Sequence, residues 1–325
     1  MPNSPSPAAI SRRRALALGG GVAAGGLLSA ATPLIEEAGA RTRTFALRRQ
    51  HGTLPAKQIQ AIVQAEGSVT NGVLSIDVQR SDIGKVSGPL GVTFTPAFEI
   101  DGTLTFQPLG SGLAFFNGDI PLRPNETNGF IDALLAHGLT FQAFHQHYTE
   151  MKPQVWFIHF RGIGAPLALA RAVHAALKAT STPLPQKKPS KPKTPLDAKR
   201  LASILHGTAQ VGDEGVVTVS VSRRGRIVIG GVVVSPDANI STGIQFKPLS
   251  SSGSTAAVGP DFSMTSPEVQ KVVALMRKQG WFVGCLYNQE TSESPQLYFS
   301  HMLKTGDAYA LANEVRRGLD LTHTA

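Results

Sequence analysis

The chain has 325 residues, 42% apolar and only 16% charged, which supplies a packed core, excludes a disordered chain and favours two domains over one. Its formal charge of +9 sits outside the apolar-rich stretches: residues 1–50 and 181–200 carry +5 each, while 51–180 and 201–325 sum to −1 and 0. A nucleic-acid-binding domain carries its own basic face, so no nucleic-acid partner is expected.

Taken in chain order, the first element is Ser11-Arg12-Arg13-Arg14-Ala15-Leu16 followed by an apolar, glycine-rich stretch to Leu34. This resembles a twin-arginine export signal, with Ala38-Gly39-Ala40 as a small-residue cleavage site. The expectation is a signal peptide over 1–40, an N-terminal extension over 41–54, and a mature chain in the periplasm or outside the cell, without a membrane span after cleavage.

Ile59, Ile62 and Val63 stand at helical spacing, and Leu74, Ile76 and Val78 alternate with Ser75 and Asp77 as in a half-buried strand. Asp77, Arg80 and Asp82 form a polar cluster after that strand, read as turn chemistry and solvated ion pairs. A helix follows over Thr127, Phe130, Ile131 and Leu134, stopped at Gly138, then strands over 139–147 and 154–161 and a helix with Leu169, Val173 and Leu177. Residues 181–196 hold five Pro and four Lys, the composition of an extended linker whose lysines could touch anionic surfaces.

Beyond this linker the pattern recurs at a shift near 142. Leu201, Ile204 and Leu205 repeat the first helix, Val217, Val219 and Val221 the first strand, and Phe246-Lys247-Pro248-Leu249 repeats Phe106-Gln107-Pro108-Leu109. The second-copy helix starts with Ser266 as N-cap before Pro267 and Glu268, and stops at Gly280. Strands over 281–289 and 296–303 and a helix with Leu311, Val315 and Leu319 complete it. The fold class is therefore α+β, two tandem copies (55–180 and 197–322) of an antiparallel sheet with helices packed on one face.

Three of the nine histidines fall close together: His145 and His147 in Phe144-His145-Gln146-His147, and His159 on the next strand. Alternate strand residues share a face, so His145 and His147 project together, and His159 joins them if Tyr148 pairs with Gln154. Three imidazoles with an open position suit a divalent ion, zinc above all, and Glu150 at the turn offers a general base for a metal-bound water. Under the repeat shift His145 becomes Tyr287, His147 becomes Gln289, and only His159 persists, as His301, which reads as a structural hydrogen-bonding residue. The single Cys285 excludes an intrachain disulfide and a cysteine metal cluster and reads as a small buried residue. No nucleophile elbow, phosphate loop or His-Glu-x-x-His motif occurs.

Val73-Leu74-Ser75-Ile76-Asp77-Val78-Gln79-Arg80-Ser81-Asp82, Phe106-Gln107-Pro108-Leu109, Gly118-Asp119 and Phe144-His145-Gln146-His147 with Pro153 and His159 resemble the LppY/LpqO family of mycobacterial lipoprotein-like tandem domains. The resemblance implies a cell-envelope protein and matches the family's histidines to His145, His147 and His159. The family's acidic position falls on Met151, with Glu150 one place earlier, and the lipobox cysteine is missing. The leading reading is an exported binding protein for an unidentified ligand or envelope component, with a candidate divalent-metal site at His145, His147 and His159. Two alternatives stand beside it: a metal-dependent hydrolase using those histidines with Glu150, and a purely structural module.

Overall fold

Residues 52–187 and 192–324 are described by the structure, a computed structural model. The expected signal over 1–40, most of the N-terminal extension, and Lys188 and Lys191 of the linker lie outside the described residues.

The first repeat runs α1 (Ala56–Val63), β1 (Gly67–Thr70), β2 (Val73–Gln79), β3 (Val86–Ser87), β4 (Thr93–Phe94), β5 (Asp101–Gly110), β6 (Leu113–Leu122), α2 (Thr127–Ala136), β7 (Thr140–His145), β8 (Trp156–Gly164) and α3 (Pro166–Lys178). The second runs α4 (Ala198–Leu205), β9 (Thr208–Val211), β10 (Val217–Val221), β11 (Ile227–Ile229), β12 (Val232–Val234), β13 (Thr242–Pro248), β14 (Thr255–Thr265), α5 (Ser266–Lys278), β15 (Phe282–Val283), β16 (Glu293–Ser294), β17 (Leu297–Asp307) and α6 (Ala308–Leu319). Each copy winds an antiparallel six-stranded sheet in the same order, β1-β2-β5-β6-β8-β7 and β9-β10-β13-β14-β17-β15.

One face of each sheet is covered by that repeat's helices. Leu74, Ile76 and Val78 of β2 and Ile158 and Phe160 of β8 point to Ile59 and Val63 of α1, Phe130 of α2 and Val173 of α3, all fully buried. Each such side chain contributes about 1.5–3 kcal/mol of burial free energy, which is what holds the short helices on the sheet. Both middle helices end alike: Leu139 N–H donates to Leu134 C=O and Trp281 N–H to Met276 C=O, with Gly138 and Gly280 at φ of 71° and 84°. The start of α5 lies one residue earlier than the sequence suggests. Thr265 is the N-cap, its N–H donating to the Glu268 carboxylate at 2.7 Å.

The other faces of the two sheets meet each other, giving layers in the order helices, sheet, sheet, helices. Apolar clusters cross this seam, Phe94, Phe98, Tyr148 and Phe157 with Ala257 and Leu303 in one, and Phe115 with Ile229 and Phe299 in another. Polar links cross it as well: Asn117 Nδ2 donates to Ala238 C=O at 3.0 Å, Gln107 Nε2 to Val233 C=O at 2.9 Å, and Tyr148 Oη to Met302 C=O at 3.0 Å. The linker is clasped rather than free along its described start. Gln186 N–H donates to Gln64 C=O at 2.8 Å and its Oε1 accepts from Gln79 N–H at 2.9 Å.

Arg80 departs from the solvated ion pair expected of it. It is fully buried, donating to Pro121 C=O and holding Glu126 and Asp82 at 2.8 Å each. The duplication repeats the device, Arg223 donating to Ser263 C=O and pairing with Glu268 at 2.9 Å. Among the described residues no helix is long and apolar enough to cross a membrane.

Candidate metal centre

The register of β7 on β8 pairs Ala143 with His159 and His145 with Phe157, so His145 and His159 share the face turned to the second repeat. β7 ends at His145 instead of continuing to 147, and His147 lies in the bend beyond. Its ring is oriented by stacking, with centroids 3.4 Å from Phe157 and 3.5 Å from His301. β17 delivers His301 from the opposite sheet, paired across its ladder with Asp261 as His159 is with Asp119. Tyr287, the counterpart of His145 in the duplication, stacks on it at 3.6 Å, so equivalent positions of the two repeats face each other here.

Among the described residues, the ligand atoms of His145, His147 and His301 lie within 4.8 Å of one another, and all three side chains are buried. His159 sits beside them, its ring 5.1 Å from His145 and its Nε2 3.7 Å from Asp119. Glu150 is exposed on the turn, and the carboxylate beside the histidines is that of Glu99, 3.5 Å from His147 and 3.4 Å from His301. Sequence reasoning missed Glu99 and gave His301 only a structural role. The available signals were an acid set between the apolar Phe98 and Ile100, and the recurrence of a histidine at the repeat-equivalent position.

Burial, and then the neighbouring imidazoles, hold His145 and His147 well below the usual histidine range, and burial with His301 pushes His159 down to about 3. For His301 burial also lowers the value, but Asp261, Glu99 and Asp119 outweigh it and raise it to about 9. Burial raises Asp119 and Asp261 despite the opposing pull of His301. Neutral imidazole is the metal-binding form, so His145 and His147 are ready donors at neutral pH, whereas His301, raised to about 9, must give up its proton to a bound cation. Eight buried atoms here make no hydrogen bond: both ring nitrogens of His145 and of His159, His301 Nε2, Glu99 Oε2, Asp119 Oδ1 and Asp261 Oδ1. Each buried polar atom left this way costs about 1–3 kcal/mol, and such a mix of nitrogens and carboxylates is a donor set that a cation can bind. Cys285 is half-buried, its thiol pushed up by burial and by Asp261, so it offers no thiolate.

Residues 57–179 and 199–321 each match the family described as Domain of Unknown Function (DUF1259). The chain belongs to that family, in two tandem copies. Both DUF1259 copies contribute to the histidine cluster, His145 and His147 from the first and His301 from the second. No curated protein matches the chain. Among solved structures, a trimeric bacterial microcompartment shell protein, PduB, is similar at 10% identity with a TM-score of 0.20, covering 79% of this chain and 90% of that one.

Proposed function

We propose that this protein holds one divalent metal ion, zinc by its donor chemistry, in the seam between its repeats through His145, His147 and His301, and acts as an exported envelope binding protein. The observation that carries this is the buried trio with ligand atoms mutually within 4.8 Å, set among polar atoms that make no hydrogen bond. The burial of all three rings speaks against hydrolysis, which needs a metal position open to substrate. The exposed position of Glu150, on the turn, likewise removes the base that reading relied on. Export is supported by the run from Ser11 to Leu16 and by the resemblance to the LppY/LpqO proteins, and exposed Lys187 and Lys193 are available to anionic envelope polymers.

Elemental analysis of the purified chain, before and after unfolding and refolding with zinc or manganese, tests it. About one zinc per chain is expected in the parent protein and none in the His145→Ala/His147→Ala or His301→Ala variants, while His159→Ala retains it. A folded parent chain that takes up no stoichiometric metal rejects the metal site and leaves the purely structural module.

A further inference from the structure

Resting on that metal-binding reading, we infer that Glu99 is the fourth ligand, closing the site as a three-histidine, one-carboxylate centre with no position left for a substrate. Glu99 lies between Phe98 and Ile100, both fully buried, and holds a left-handed backbone at φ 67°, a conformation a side-chain-bearing residue rarely adopts. Contacts on both sides fix it there. Its N–H donates to Gln245 Oε1 of the second repeat at 2.8 Å, and its C=O lies 3.1 Å from His147 Nδ1. The backbone is thus held where the carboxylate enters the seam.

Oε1 fills a notch at Gly259, where any Cβ would overlap it. Oε2 makes no hydrogen bond and stands 3.5 Å from His147 Nδ1 and 3.4 Å from His301 Nδ1. Ligand atoms around a tetrahedral zinc with bonds of about 2.0–2.1 Å are about 3.3–3.4 Å apart, so Oε2 is already at ligand spacing from His301 Nδ1, while His147, whose Nδ1–H donates to Glu99 C=O, offers its Nε2 to the ion. The other nearby carboxylates fit less well. Asp261 lies 3.6 Å from His301 alone and accepts from Tyr287 Oη at 3.3 Å, and Asp119 lies 3.7 Å from His159, outside the trio. Four protein ligands with no open position are the mark of a metal that is held rather than one that reacts.

The test is zinc affinity by chelator competition on the full chain, with cobalt substituted as a spectroscopic probe. Outer partners of metal ligands cost about 10–100-fold when removed, so Glu99→Gln, which keeps shape and loses charge, is expected to weaken zinc by more than about 100-fold. Glu99→Ala should change the cobalt spectrum, and added acetate should restore it, while the parent protein ignores acetate. Gly259→Ala, which leaves every histidine in place, should weaken zinc by displacing the carboxylate. A smaller loss in Glu99→Gln with an unchanged cobalt spectrum overturns the assignment and leaves Glu99 as an ion-pair partner of His301. A parent chain that binds no zinc at all defeats the metal site itself instead.

Discussion

Glu126 and Glu290 are both buried, 7% and 2% exposed, yet their surroundings drive them in opposite directions. For Glu126 burial raises the pKa, but Arg80 and the N–H groups of Ser181 and Arg123 outweigh it and bring the carboxyl down to about 2. A carboxylate depressed on folding stabilises above its unfolded value and loses that contribution as pH falls. The parent protein should therefore lose stability between about pH 4.5 and 2, on the order of 3 kcal/mol from this group, and Glu126→Gln should lack that part of the acid transition in urea titrations. Glu290 has both oxygens without a hydrogen bond, and burial with Glu293 raises it to about 8 against the pull of Arg161. Here the sign reverses: ionising the carboxyl opposes folding, so stability falls as pH climbs from about 4.5 toward 8. Glu290→Gln should raise the melting temperature at pH 8 and change it little at pH 4, and equal effects at the two values would refute this account.

At the scale of elements, the duplicated pattern translates well into helices and strands because it rests on local periodicity. Ile59 and Val63 do face a core, Leu74, Ile76 and Val78 do alternate, and both middle helices stop at a left-handed glycine. The departures come from the other repeat. The strand expected over 281–289 keeps only Phe282 and Val283 in the ladder, and at Gly284 the space a Cβ would fill is taken by His147 C=O and the Tyr148 ring. No local pattern announces a neighbour that arrives from more than 130 residues away. Gly284→Ala should accordingly destabilise the chain by about 1–3 kcal/mol, the usual cost of overpacking, by pushing Tyr148 off Met302. Truncating that ring with Tyr148→Ala should relieve part of the loss in a double-mutant cycle, and strictly additive effects would place the strain elsewhere.

For the whole molecule, the sheet faces that meet explain why half of the candidate site was legible and half was not. On β6, Asn117 and Asp119 alternate with the apolar residues, as do Asp261 and Ser263 on β14, a pattern that reads as a solvated face. Instead these polar residues line the seam, which is why His145 and His147 could be paired from their spacing while Glu99 and His301 could not be added to them. The same seam makes the linker dispensable for association: a protease site placed within 188–191 and cut should leave the halves co-eluting on size exclusion, and separate elution would contradict the shared interface. Because the ring nitrogens lie between two sheets, with His145, His147 and His301 only 6–8% exposed, an ion lodged there would exchange slowly. The metal carried by a mature molecule would then record which cation was at hand when the chain folded, and later changes in the surrounding medium would hardly register.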